Sequence, residues 1–182
     1  MDGRVIQRDF DVEVGGNVVP CVIWMLNPGV GSRALIAMGH GGSQHKKTED
    51  IRNRAIHFAK DFGWASLAID APGHGDRISS EEAEAERLKA QARVRGDADA
   101  PSMSPDDKIR YLDTLAAQAV PEWQGALDAI LGTEILRDIE AIGYWGVSMG
   151  TWIGVPLLAT ETRFKCAVAR NATGDGTKNR PP

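Results

Sequence analysis

GYWGVSMGTWIG, residues 143–154, decides how this chain is to be read. An apolar run, Ile139–Trp145, leads into Gly146-Val147-Ser148-Met149-Gly150, and an apolar helical stretch, Thr151–Thr160, leads out. Strand, Gly-x-Ser-x-Gly, helix is the sequence form of a sharp turn that lifts a serine above the end of a sheet. The turn forces strained dihedrals on the serine, and the flanking glycines leave room where strand and helix nearly touch. A serine hydroxyl is a poor nucleophile at neutral pH. It needs exposure, a base, and hydrogen-bond donors for the oxyanion that develops on attack. The turn supplies the first need, so Ser148 is the candidate catalytic residue. The backbone N–H of Met149, at a helix N-terminus where the dipole favours negative charge, is the first candidate donor.

A second donor is expected from the loop after the third strand. Ala34–Met38 is a short apolar run that ends in Gly39-His40-Gly41-Gly42-Ser43. Small residues let the backbone approach a ligand closely, and the N–H of Gly42, with that of Gly41 next, is the candidate. His40 reads as a brace for that loop. A helical stretch follows, Thr48–Asp61, with Ile51, Ala55, Phe58 and Ala59 on one face, and then a buried strand, Trp64–Ile69, ending at Asp70-Ala71-Pro72-Gly73. Strand, helix, strand with glycine-rich exits predicts a parallel sheet. Ahead of it, Val5–Val14 and Val18–Leu26 flank Gly15-Gly16-Asn17, the pattern of an antiparallel hairpin, and Asn27-Pro28-Gly29 reads as a second turn. The expected fold class is α/β: a mostly parallel twisted sheet, helices on both faces, an N-terminal antiparallel hairpin. The strands ending near Met38, Ile69 and Trp145 are expected to be adjacent.

Residues 77–121 break this rhythm. Ser79-x-x-Glu82 has the form of a capping box, and Ser104-Pro105 that of an N-cap with proline at the first helical position. Ile109, Leu112, Leu115, Ala116 and Ala119 fall on one helical face. The segment is read as an insertion, a lid or cap over the sheet edge, with the next core helix running from Pro121 to Leu131. Phe164–Ala169 is a last strand. The expected organisation is one core over residues 1–170 and an irregular tail over 171–182.

Composition bounds the function. The 182 residues are 42% hydrophobic and 25% charged with a net charge of −4, which suits one globular domain and disfavours nucleic acid or an anionic membrane surface as partner. The N-terminus has no apolar core of a signal peptide, and no run reaches the roughly 18 apolar residues of a membrane helix. A cytoplasmic location is expected, with Cys21 and Cys166, each in an apolar stretch, as buried thiols. The histidines lack metal-ligand spacing, and no strand is followed by a nucleotide-binding glycine pattern, so neither metal nor cofactor is expected.

HGGS (residues 40–43), DAPGHGDR (70–77) and GVSMG (146–150), in this order and spacing, resemble the motifs of α/β-hydrolases, over residues 1–170. The nearest likeness is to dienelactone-hydrolase and prolyl-oligopeptidase-like serine esterases. The resemblance implies an eight-stranded sheet, a Ser–acid–His triad in that chain order, and small carboxylic ester or related acyl substrates. In that family the acid follows strand six or seven and the histidine follows strand eight. Here all four histidines, His40, His45, His57 and His74, precede Ser148, and Asp175 alone occupies a position after the sixth strand. The resemblance therefore implies an acid and a histidine C-terminal to the chain's end, a shortened product, and weak activity at most. His74, in the loop after the fourth strand, is the best-placed substitute base, since that strand is expected to adjoin the turn at Ser148. Asp70 and Asp76 are expected to cap their loop or to pair with Arg77. The sixth strand becomes a sheet edge through which residues 164–169 associate with a second copy. The alternative is a non-catalytic binding or interaction domain on the same scaffold.

Overall fold

In the computed structural model, residues 4–27, 31–97 and 103–170 are described; the expected turn at Pro28-Gly29, Asp175 and the tail 171–182 lie outside them. The first hairpin forms where two glycines permit it. β1 (Val5–Val14) and β2 (Asn17–Leu26) pair antiparallel through a two-residue turn. Gly15 and Gly16 both take positive φ, 57° and 82°, the backbone that matches the twist of the paired strands.

The remaining elements alternate. β3 (Ala34–Gly39), α1 (Glu49–Phe62) and β4 (Ala65–Ile69) make one parallel crossover. After the helices α2 (Ser80–Arg95) and α3 (Pro105–Leu131), β5 (Ala141–Val147), α4 (Met149–Thr160) and β6 (Phe164–Arg170) make another. The six strands among the described residues form one sheet in the order β1-β2-β4-β3-β5-β6. The expected adjacency of β4, β3 and β5 is found, and all three strands point their C-terminal ends the same way. Helices cover both faces. Ile51 and Ala55 of α1 pack with Trp24, Met38 and Trp145 on one side. Leu115, Trp123 and Leu127 of α3, with Ile153 and Leu157 of α4, pack on Leu35, Leu67 and Ile142 on the other.

Two expectations are corrected, the helix start at Pro121 and the burial of Cys166. No helix starts at Pro121: α3 is continuous for 27 residues with that proline inside it. An internal proline removes one helical hydrogen bond and costs about 3 kcal/mol. The apolar stripe nevertheless passes Pro121 in phase, and Trp123, Leu127 and Ile130 are buried beyond it. At about 1.5–3 kcal/mol for each such side chain, their burial outweighs the break. α2 lies within the expected insertion. It has the expected capping box, with Glu82 N–H donating to Ser79 Oγ at 3.2 Å and Ser79 N–H to Glu82 Oε2 at 2.9 Å. Yet no described α2 side chain is buried. Its sequence has charge on every side and no apolar stripe to dock. Cys21 is buried, which pushes its thiol up to about 12, but Cys166 is exposed. Among the described residues β6 is an edge strand, and every residue of it beyond Phe164 is exposed, so its apolar composition does not bury it. That edge position was expected. Among the described residues no helix is long and apolar enough to cross a membrane.

Candidate active site

Ser148 stands between the last residue of β5 and the first of α4, exposed, with φ 51° and ψ −112°. Such a conformation costs a non-glycine residue about 1–3 kcal/mol, and the surroundings hold it. The Ser148 N–H donates to the Arg170 carbonyl at 2.8 Å, while the Thr151 and Trp152 N–H groups donate to the Ser148 carbonyl at 2.9 and 3.2 Å. Thr151 Oγ1 lies 2.9 Å from the Gly146 carbonyl oxygen. From below, the buried Tyr144 hydroxyl donates to the Gly150 carbonyl at 2.6 Å. The flanking glycines are sterically required. A Cβ at Gly146 would lie 2.8 Å from the Gly150 carbonyl oxygen, and one at Gly150 would overlap the Gly39 carbonyl. The helix start thus rests directly on the end of β3.

That contact brings the loop after β3 beside the serine. A Cβ at Gly41 would sit 3.9 Å from that of Ser148. The two proposed donors in this loop differ. The Gly41 N–H is committed to Gln44 Oε1 at 3.0 Å. The N–H groups of Gly42 and Met149 have no hydrogen-bond partner among the described residues. Gly42 is exposed, with open space around its Cα, and Ser43 after it takes a positive φ of 58°. Between Gly42–Gln44 and the α2 side chains Arg87, Gln91 and Arg95 lies an open groove of about 430 Å³, so α2 forms a wall beside the loop.

The histidines are otherwise engaged. His40 Nε2 accepts the Ala71 N–H at 3.1 Å, so Nδ1 carries the proton and donates to the Gly41 carbonyl at 2.8 Å. Burial pulls its pKa down to about 4, and the ring is a neutral brace between two loops, as its position suggests. His74 is buried, with Nδ1 2.9 Å from the Pro72 carbonyl oxygen and its ring 5.4 Å from that of His40. β3 separates β4 from β5, so the loop bearing His74 does not adjoin the turn as its sequence position suggests. His45 and His57 are exposed; His45 Nδ1 accepts the Lys47 N–H at 3.2 Å, and His57 pairs with Asp61 on α1. None of them bonds to Ser148, whose hydroxyl has no partner among the described residues.

Asp70 and Asp76 pair with Lys46 rather than Arg77. Lys46 Nζ lies 2.6 Å from Asp70 Oδ2 and also bonds Asp76, and the Lys46 N–H donates to Asp70 Oδ1 at 2.7 Å. Burial draws the Lys46 ammonium down, but its two carboxylate partners outweigh this and hold it above the ordinary lysine value. The Lys46 ammonium in turn holds the Asp76 carboxyl below its ordinary value. Arg77 instead forms a two-pronged pair with the buried Glu122 of α3, at 2.6 and 2.9 Å. Neither Lys46 nor Glu122 stands out in the sequence, where each is one charge in a polar loop or helix. The one legible cue was Asp70, a carboxylate at the end of an apolar strand. Among the described residues, no cluster of His, Cys, Asp and Glu could hold a metal ion.

No protein-family model matches the chain, and no curated protein matches it. Solved structures do. A cold-adapted esterase from an Arctic intertidal metagenomic library is 32% identical, with a TM-score of 0.67, over 91% of this chain and 60% of that one. Dienelactone hydrolase from Anabaena variabilis is 20% identical, with a TM-score of 0.58, over 91% of this chain and 63% of that one. An esterase from Pyrococcus furiosus is 16% identical, with a TM-score of 0.58, over 91% of this chain and 51% of that one. This chain therefore spans at most about three-fifths of the length of these neighbours. Within that span its structure is similar to theirs, consistent with part of an α/β-hydrolase fold.

Proposed function

We propose that Ser148 is the nucleophile of a serine hydrolase that acts on small carboxylic esters or related acyl compounds. The observation that carries this reading is the strained, exposed backbone of Ser148, φ 51°, at the junction of β5 and α4. Strain of this kind persists where a side chain must be presented. In the reaction, Ser148 Oγ attacks the carbonyl carbon and passes its proton to water. The carbonyl oxygen takes the negative charge and receives the N–H groups of Met149 and Gly42. The tetrahedral adduct then expels the alkoxide, which takes a proton from water. A water molecule next attacks the acyl-serine, giving its proton to bulk water, and the second adduct releases the acid as Ser148 Oγ is reprotonated by water. The free N–H groups at both positions support this use, whereas the bond from Gly41 to Gln44 makes Gly41 the weaker candidate.

Within this chain the attack proceeds without a paired histidine. Enzymes stripped of a triad member keep roughly 10³–10⁴-fold catalysis over water from the oxyanion hole and binding. Slow turnover of an activated ester such as p-nitrophenyl acetate is therefore expected. It should vanish in Ser148→Ala and barely change in His74→Ala. A robust activity lost in His74→Ala would make His74 the base and overturn this assignment. The unpartnered Ser148 hydroxyl favours a second reading, a binding domain on a hydrolase scaffold; hydrolysis at the same rate in Ser148→Ala would support it.

A further inference from the structure

Lys46 is a buried lysine, 2% exposed, in the same loop as Gly42 and four residues after it. Its ammonium lies between Asp70, fully buried at the end of β4, and Asp76. Asp70 accepts three hydrogen bonds: from the Lys46 N–H at 2.7 Å, from Lys46 Nζ at 2.6 Å, and from the Asp76 N–H at 2.9 Å. Gly75, at φ 58°, leaves the space this needs, since a Cβ there would overlap the Asp70 carboxylate. The loop after β3 is thus fastened to the end of β4 at two points. His40 Nε2 holds its beginning on the Ala71 N–H, and Lys46 holds its end on Asp70. Between these points lie Gly41, Gly42 and the strained Ser43, and there the loop runs beside Ser148.

We infer that Lys46 is a positioning residue for hydrolysis: its bonds to Asp70 and Asp76 fix the loop that carries the Gly42 N–H beside Ser148. The inference rests on the reading of Ser148 and Gly42 given above. A buried ammonium between two carboxylates is costly to assemble, and replacing such groups by apolar ones is often no loss of stability. Conformational specificity is what the arrangement supplies here. Lys46 and Asp70 are joined through side chain and backbone together, so the end of the loop has one position rather than several. A donor displaced by about 1 Å costs on the order of 10²-fold in rate.

The test compares the full chain with Lys46→Met, Lys46→Arg and the double variant Lys46→Met/Asp70→Asn. The double variant removes both buried charges, so that no unpaired carboxylate is left buried where Lys46→Met alone does not fold. Asp70→Asn alone serves as its reference, since the amide keeps only one of the two oxygens that accept backbone N–H groups. Two quantities are read: kcat and KM for p-nitrophenyl acetate, and hydrogen exchange with the NMR shift of the Gly42 amide. The expected result is a fall in kcat of about 10–100-fold with KM within about twofold, in whichever Met variant folds. Lys46→Arg, which keeps the charge, recovers part of that loss. The Gly42 amide shifts and exchanges faster in the Met variants. An unchanged kcat with an unchanged Gly42 amide in a folded Met variant overturns the inference. A wild-type chain without activity at Ser148 defeats the reading of the function instead. In that case the Gly42 amide alone decides whether Lys46 fixes the loop.

Discussion

The C-terminal ends of β3, β4 and β5 differ sharply from β6 and α2. At the first three ends nearly every polar group has a partner: His40 on Ala71, Lys46 on Asp70, Tyr144 on Gly150, Arg77 on Glu122. In β6, by contrast, Val168 is 59% exposed, and no described α2 side chain is buried. The difference has two sources: among the described residues β6 has a partner strand on one side only, and α2 has no apolar stripe to dock. It also shows where order is concentrated, in the loops that surround Ser148.

This contrast can be broken by substitution. Arg77→Met leaves the Glu122 carboxylate buried without its partner, and breaking a buried pair on one side costs about 3–5 kcal/mol. Urea denaturation should show a loss of that size, and a change under about 1 kcal/mol would mean that the loops are tied less firmly than the geometry indicates.

His40 gives the next largest effect, through pH. Its folded pKa of about 4 lies below the ordinary value of 6.5 because burial disfavours the imidazolium. Between these values the unfolded chain holds a proton that the folded chain does not, so stability falls as pH is lowered through this range. The loss by pH 4 is about 3 kcal/mol, from 1.36 kcal/mol per pH unit. The Asp76 carboxyl, held low by Lys46, adds in the same direction, its contribution complete above the ordinary carboxylate value and lost below it. Denaturation curves at pH 7, pH 4 and pH 3 check the sum, and His40→Asn should flatten the upper part of the slope.

Gly150→Ala is expected to cost about 1–3 kcal/mol, because the added methyl meets the Gly39 carbonyl and must push α4 off β3. Its activity should fall with its stability. An alanine tolerated without change in either would show that the turn has slack.

The smallest stability changes belong to the exposed region. Val168→Lys should alter stability by no more than about 0.5 kcal/mol. It should nevertheless suppress self-association, since an open strand edge pairs readily with another and a charge there discourages it. Sedimentation of wild type and Val168→Lys compares the two directly. A clean wild-type monomer would count against association through residues 164–169.

How much of this was legible follows the same division. The sheet centre could be read because its signals are local: short apolar runs, glycine exits, and the Gly-x-Ser-x-Gly turn whose strain the backbone of Ser148 bears out. The α3 helix was divided at Pro121 because proline is a reliable local stop, and tertiary burial of Trp123 and Leu127 overrode it. Cys166 was read as buried from its apolar stretch alone, apart from the edge position expected of its strand. Lys46 was missed because its partners are 24 and 30 residues away, and nothing local marks a lysine as buried.

The central claim is that Ser148 is presented as a nucleophile in a chain whose own histidines do not assist it. Intact-mass analysis after exposure to a fluorophosphonate probe tests this most directly. Ser148 Oγ displaces fluoride from phosphorus and gains one phosphonyl group. The account predicts slow single labelling that is absent in Ser148→Ala and unchanged in His74→Ala and His45→Ala. No labelling of the wild type, or labelling that survives Ser148→Ala, would contradict it.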